Sequence, residues 1–490
     1  MTASLRLPSA VLICGFTLSA CNGATPAMPA ASQSIASFQG GARTGASASK
    51  IQHVIIMIQE NRSFNDFFAT YPGATGATSG YYLQPEGKTF KKTPITLTEG
   101  NLVAPDFNHD SHAYNLDCGQ PEYQYPIKGC AMDGFNLEGQ DGNNPAGTEP
   151  YQYASPSSIA PYWEMAKNYG LADHMFQTQG SGSFTAHQDL VHGDTFYPST
   201  NCPSGSQATC SLIDFPTQDA NWGCSAKQNY PDTVTQLLTT TGTYLTNKGP
   251  FPCLTYADKT MADLLDAASV SWKYYTPPYK GKTSGALWDA MASISEIYNG
   301  PDWKKNVSIP ETNIFTDITK GTLPSVSWVI PTEEDSDHPH GSGEVYHGPE
   351  WIASVVNAVG KSSYWNSTAI IVTWDDWGGF FDPVPPAFID DQGGLGFRVP
   401  MLVVSPYVKQ GTLSHTQYEF ASILKFVETN FNLGQMGSAS YPNDDTRATS
   451  IANMFDLTMK TPRKFISIPS SLDERYFIHK PISYAPVDRE

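Results

Sequence analysis

Thr373-Trp374-Asp375-Asp376-Trp377-Gly378-Gly379-Phe380-Phe381-Asp382 follows the apolar, β-branched run Ala369-Ile370-Ile371-Val372. A run that short and uninterrupted reads as a strand buried on both faces of a sheet. Two adjacent carboxylates therefore stand where that strand ends. In open α/β sheets, ligands bind in the crevice beyond the carboxyl ends of the strands, and the glycine pair lets the backbone leave the strand sharply. Neighbouring negative charges raise each other's pKa unless a cation or a proton lies between them, so a divalent metal ion is the simplest partner. Asp and Gly are also ordinary turn residues, and taken alone the stretch reads more readily as a solvated turn.

Other stretches repeat the pattern. His53-Val54-Ile55-Ile56-Met57-Ile58 is a second buried-strand run, and it ends in Gln59-Glu60-Asn61-Arg62-Ser63-Phe64. Ser325-Val326-Ser327-Trp328-Val329-Ile330 is a third, ending in Thr332-Glu333-Glu334-Asp335-Ser336-Asp337-His338-Pro339-His340. Helical spacing over Met261, Leu264, Leu265 and Ala268, over Ile352 to Val359 up to Gly360, and over Phe420 to Phe431 separates such strands, as does the segment from Ile159 to Asn168. Val270 to Tyr275 and Met401 to Pro406 read as further strands. Strands alternating with helices predict an α/β fold, a mostly parallel central sheet flanked by helices on both faces. In a parallel sheet the strand ends share one edge. Glu60, Asn61, Asp375 and Asp376 can then converge on one divalent cation through oxygen ligands. A plain helix N-cap is the competing reading of Glu60 and Asn61.

The chain has 490 residues, 16% of them charged, and a net charge of −18. Length allows about three domains or one large domain with insertions. An acidic chain without a basic run is a poor partner for nucleic acid. At the N-terminus, Arg6 and the apolar stretch Ala10 to Leu18 read as an export signal too short to span a bilayer. Leu18-Ser19-Ala20-Cys21 has the form of a bacterial lipobox, which makes Cys21 the expected lipidation site; a plain signal cut near Ala20 or Ala24 is the alternative. The expected organisation is a signal over 1–21, a flexible Ser/Ala/Gly tether over 22–50 and a catalytic domain over 51–490, in an exported chain that is periplasmic, held at the outer membrane by its anchor, or secreted. Cys118, Cys130, Cys202, Cys210, Cys224 and Cys253 suit disulfides in an oxidising compartment, with nearest-neighbour pairing as the expectation. Residues 194–257 carry four of these six and read as an insertion over the cleft.

Gly180-Ser181-Gly182-Ser183-Phe184-Thr185-Ala186-His187 precedes an amphipathic segment from Gln188 to His192. Small residues ahead of a helix put a hydroxyl at a positive helix start, a setting for an activated nucleophile or, more plainly, an N-cap. A Ser183 hydroxyl bound to the cation would lose its proton more easily and attack phosphorus or sulfur. His338 is then the leaving-group acid by position. The pair His109 and His112 reads as an ordinary surface pair or as phosphate ligands.

Glu60-Asn61-Arg62-Ser63-Phe64, Met132-Asp133-Gly134-Phe135, Ser183 through Gly193, Ser336-Asp337-His338, Thr373 through Asp382, Arg398-Val399-Pro400 and Ser405-Pro406-Tyr407 occur in the order seen in the bacterial phosphoesterase family, which this sequence resembles from about residue 51 to 460. That family holds phospholipases C and related acid phosphatases on an alkaline-phosphatase-like fold. The resemblance implies Glu60, Asn61, Asp375 and Asp376 as metal ligands, Ser183 as the metal-bound nucleophile and His338 as the leaving-group or phosphate-binding histidine, with His109 and His187 as weaker phosphate-binding candidates. It implies one divalent metal ion and a phospholipid or small phosphate ester as substrate. The sequence departs from many members at Asn65, Ala69, Thr185-Ala186-His187 and Pro383, which bears on substrate and not on the ligand set. Phospholipase C-type cleavage is the first expectation, broad-specificity acid phosphomonoesterase the second, and a non-catalytic surface binding protein the third. The Cys/Ser-x-Pro-x-Arg context of sulfatases is absent.

Overall fold

The computed structural model describes residues 49–120, 129–140, 144–195, 210–214, 223–225, 234–239, 244–248, 253–256, 259–278, 287–339, 346–387, 394–437 and 444–484. Cys21, the expected export signal and all of the tether but Ser49 and Lys50 lie outside these residues.

One eight-stranded sheet organises the described residues, in the order Val307–Ser308, Trp272–Tyr275, Val326–Val329, His53–Gln59, Thr368–Trp374, Met401–Val404, Gly170–Ala172, Thr412–Ser414. The α/β class and the mixed, largely parallel sheet agree with the sequence reading. Seven strands run one way, and Met401–Val404 alone is reversed, pairing antiparallel with both neighbours. Its apolar run carries no mark of direction, because burial on both faces is the same either way up. The central strands Val326–Val329 and Thr368–Trp374 are buried throughout. Helices Ala160–Asn168 and Gly348–Lys361 form one packed group, and Ser183–His192 and Phe420–Phe431 another.

Helix boundaries follow local chemistry, with two corrections to the sequence reading. Ser63 caps the short helix Phe64–Phe68 by accepting from the Asp66 N–H, so Glu60 and Asn61 are not the cap. The helix expected to stop at Gly360 continues to Lys361. A Cβ at Gly360 would lie 2.3 Å from the Phe465 ring, so glycine is there to let Phe465 in. Phe420–Phe431 ends as expected, with Asn432 left-handed at φ 55°. Cys118–Cys130 and Cys224–Cys253 are bonded, as nearest-neighbour pairing predicts. The third expected pair includes Cys202, outside the described residues. Between residues 194 and 257 three strands, Cys210–Asp214, Val234–Thr239 and Tyr244–Lys248, form a separate antiparallel sheet.

Candidate active site

Val326–Val329, His53–Gln59 and Thr368–Trp374 lie side by side and parallel, so residues 60–61, 332–338 and 375–376 emerge at one edge. Gln59 pairs with Trp374, and the Asp375 N–H donates to the Gln59 carbonyl at 3.0 Å, carrying the pairing one residue past the strand. There the chain turns. Asn61 is left-handed at φ 59°, a conformation Asn tolerates better than most side chains, and its backbone N–H donates to Asp375 Oδ1 at 2.9 Å. Gly378 has φ 58°, and a Cβ on it would meet the Asn61 carbonyl oxygen at 2.2 Å. Only glycine lets these two strand ends come so close. The Gly378 N–H donates to Asp376 Oδ1 at 2.7 Å and fixes that carboxylate.

Ser183 reaches the same place from the opposite direction. The helix expected from Gln188 begins at Ser183 instead, with Gly182 at its cap position and Gly193 left-handed at its end. Ser183 is therefore the first helical residue rather than the cap, and its hydroxyl points outward from the helix start. Oγ sits in a fork, 3.2 Å from Asp376 Oδ2 and 3.3 Å from Asn61 Oδ1. One turn later in the helix, His187 Nε2 lies 3.0 Å from Glu60 Oε1. Glu60, Asn61, Ser183, His187, Asp375 and Asp376 are all fully buried.

His109 is also fully buried here, although its sequence context suits a surface pair. Its Nδ1 donates to the Phe107 carbonyl at 2.6 Å, which leaves Nε2 to accept from the Asn61 amide at 2.6 Å. Nε2 is 3.8 Å from Asp376 Oδ2. His338 is 3% exposed, with its ring centre 6.3 Å from that of His109 and 5.8 Å from that of Trp288. Its Nδ1 donates to the Pro339 carbonyl at 2.9 Å. Beside it, Asp337 Oδ2 accepts from the Tyr162 hydroxyl at 2.7 Å and Trp374 Nε1 at 3.0 Å. Burial raises its pKa to about 7, against the opposing pull of Tyr162 and Arg62.

Two buried arginines hold the loops that carry these groups. The sequence showed them only as pieces of motifs. Arg62 donates to the carbonyls of Asp337 at 2.8 Å and Leu102 at 2.6 Å, and to Asp66 at 3.2 Å, under the Phe380 ring. Arg398 binds Asp382 in two bonds of 2.9 and 3.0 Å and the Asp173 carbonyl at 2.7 Å. Burial pushes the Asp382 carboxyl up, and the Arg398 charge opposes the shift. The end of the 373–382 stretch is thereby tied to the 173 loop.

Whether the site suits a cation can be asked of its oxygens. Glu60, His187 and Asp375 present ligand atoms within 4.8 Å of one another. Asp375 Oδ2 is buried and makes no hydrogen bond, a costly state for an isolated carboxylate oxygen and an ordinary one for a metal ligand. The residues fit a divalent ion. A second group with the same spacing, Asp173, His174 and His415, lies on the same edge after strands Gly170–Ala172 and Thr412–Ser414. Its carboxylate is already occupied by the Thr75 N–H at 2.8 Å, the Thr75 hydroxyl at 3.0 Å and both imidazoles.

A model of the phosphoesterase family matches residues 51–434. The chain belongs to the phosphoesterase family. A non-hemolytic phospholipase C of Burkholderia pseudomallei is 26% identical over 78% of this chain and 55% of its own length. Phospholipase C B of Mycobacterium tuberculosis is 26% identical over 78% of this chain and 74% of its own. Non-specific phospholipase C6 of Arabidopsis thaliana is 31% identical over 79% and 69%. This phosphoesterase thus spans little more than half the Burkholderia protein. Among solved structures, an alkaline phosphatase superfamily protein from Vibrio parahaemolyticus aligns over 61% of this chain and 67% of its own, at 13% identity and a TM-score of 0.32, too low to carry an argument.

Proposed function

We propose that the chain hydrolyses phosphate esters through Ser183, and that its substrates are phospholipids cleaved between glycerol and phosphate. The observation that carries the reading is the Ser183 hydroxyl in its fork of Asp376 and Asn61, beside a buried carboxylate oxygen with no protein partner. Glu60, Asp375 and His187 would hold a divalent cation, with Asn61, Asp376 and Ser183 next to them. His187, first read as a phosphate ligand, enters this set because it faces Glu60. Such a cation would polarise the phosphoryl oxygens and favour the ionised serine.

The remaining steps belong to the chain. Ser183 Oγ forms a bond to phosphorus as its proton passes toward Asp376 Oδ2. The bond from phosphorus to the leaving oxygen breaks, and His338, protonated on both nitrogens, supplies the proton from Nε2. Asn61, positioned by His109, holds the nucleophile in line. Water then gives a proton to His338 and bonds to phosphorus, the bond from phosphorus to Ser183 Oγ breaks, and Asp376 returns its proton to the serine.

A phosphomonoesterase with the same site is the second reading, favoured by the buried Thr185-Ala186-His187 that departs from many phospholipase-like members. Turnover of a phosphatidylcholine analogue against a simple aryl phosphate monoester separates the two. The phospholipid reading expects the choline lipid to be cleaved to diacylglycerol; activity on the monoester alone removes it. Export and a lipid anchor at Cys21 belong to the same proposal, and acyl-chain labelling that is lost in Cys21→Ala would support them.

A further inference from the structure

A two-stranded hairpin, Ser79–Glu86 paired with Thr89–Thr96, carries apolar side chains on both of its faces. Residues opposite each other in an antiparallel pair share a face. Gly80, Tyr82 and Ile95 face inward: Tyr82 and Ile95 pack on the cluster that holds Trp377 and Phe381, and a Cβ at Gly80 would lie 2.5 Å from the Phe381 ring. The outward face holds Ser79 opposite Thr96, Tyr81 opposite Pro94, Leu83 opposite Lys92 and Pro85 opposite Phe90. Five of those eight side chains are apolar, and they lie together toward the turn, where a solvated face would be polar. Tyr81 is 49% exposed and Phe90 41%, and both prolines are exposed. Lys92, on this outward face, lies over the Tyr81 ring and bonds Asp133, and Lys88 is exposed in the turn before Phe90, whereas Lys91, opposite Gln84, is exposed on the other face. The hairpin thus carries three lysines and one glutamate in a chain of net charge −18.

We infer that this hairpin docks on the surface of a phospholipid bilayer bearing anionic headgroups, with Phe90 and Tyr81 entering the interface and Lys88 and Lys92 meeting the phosphates. An aromatic face flanked by lysines suits the boundary between headgroups and acyl chains, and the local positive charge is complementary to anionic lipid although the chain as a whole is not. Because the hairpin is seated on Phe381, docking brings the stretch that carries Asp375 and Asp376 toward the lipid. The inference rests on the phospholipid reading above and adds where the substrate surface is met.

The test is sedimentation with phosphatidylcholine vesicles, with and without phosphatidylglycerol, using the full chain with Ser183→Ala and Cys21→Ala so that neither turnover nor an anchor contributes to differences between variants. The expected result is partition that rises with phosphatidylglycerol, falls about tenfold in Tyr81→Ser with Phe90→Ser, is kept in Phe90→Leu, and loses its phosphatidylglycerol dependence in Lys88→Glu with Lys92→Gln. With Ser183 intact, the same hairpin variants should turn over a soluble aryl phosphate ester at the unaltered rate, which shows that they fold. Equal partition of the unaltered chain and the serine double variant overturns the inference. So does a serine variant that changes self-association in solution instead, which would make a second copy the occupant. Diacylglycerol release with no hairpin-dependent partition overturns docking and leaves the phospholipid reading intact, whereas hairpin-dependent partition without lipid turnover refutes that reading alone.

Discussion

The same sheet edge carries two groups of side chains with nearly identical credentials for metal binding and opposite chemical states. Glu60, His187 and Asp375 meet the same distance criterion as Asp173, His174 and His415. In the second group Asp173 accepts from Thr75 twice and from both imidazoles, and although burial acts to raise its pKa, those hydrogen bonds hold it well below the usual carboxylate range. In the first, Asp375 keeps a buried oxygen with no donor. Proximity of donor atoms is therefore a weak criterion for a metal site. What separates them is whether protein donors have already occupied the lone pairs. One group keeps a buried carboxylate oxygen that a cation could take, and the other already fastens three loops.

The sharpest way to break this comparison is through Ser183, the proposed nucleophile, which stands beside the first group only. Ser183→Ala should lower turnover by about a thousandfold or more with an unchanged circular dichroism spectrum. A rate within about tenfold of the unaltered enzyme would show that another group attacks. Next in size is Arg398→Ala, which leaves Asp382 buried and unpaired and cuts the tie between the two regions. It should cost about 3–5 kcal/mol in denaturant unfolding, and a cost under about 1 kcal/mol would show that the clamp is idle.

The smallest effect concerns the second group. Asp173→Asn should cost about 1–3 kcal/mol near neutral pH while leaving turnover largely intact. The sign of its pH dependence follows from the lowered carboxyl. A carboxylate more acidic in the native state stabilises fully above its unfolded pKa of about 4 and loses that contribution as pH falls toward the native value. The stability gap between the unaltered chain and the variant should therefore be narrower at about pH 3 than at about pH 6. A gap that widens on acidification would contradict the assignment.

Much of the fold was legible because its central strands are apolar on both faces and end in abrupt polar stretches, as at Val372 to Asp375 and Ile58 to Asn61. That punctuation brought Glu60, Asn61, Asp375 and Asp376 forward as candidates, although taken alone the Asp375-Asp376 stretch reads more readily as a turn and Glu60 and Asn61 as readily as a cap. Strand direction did not: nothing in Met401 to Val404 says which way it runs. Gly360 was misread because a glycine that ends a helix and a glycine that admits Phe465 look alike in sequence. His187 needed two facts unavailable locally, that its helix begins at Ser183 and that Glu60 lies across from it. The work of Arg398 was equally hidden, since its partners Asp173 and Asp382 are joined to it only by the fold.

Metal analysis of the purified protein and its variants addresses the central claim most directly. The account predicts one equivalent of a divalent ion per chain, lost in Asp375→Asn, which keeps an acceptor for the Asn61 N–H, and in Glu60→Gln, but retained in Asp173→Asn and His415→Ala. Full metal content in Asp375→Asn and Glu60→Gln, or its loss only when Asp173 or His415 is changed, would contradict it.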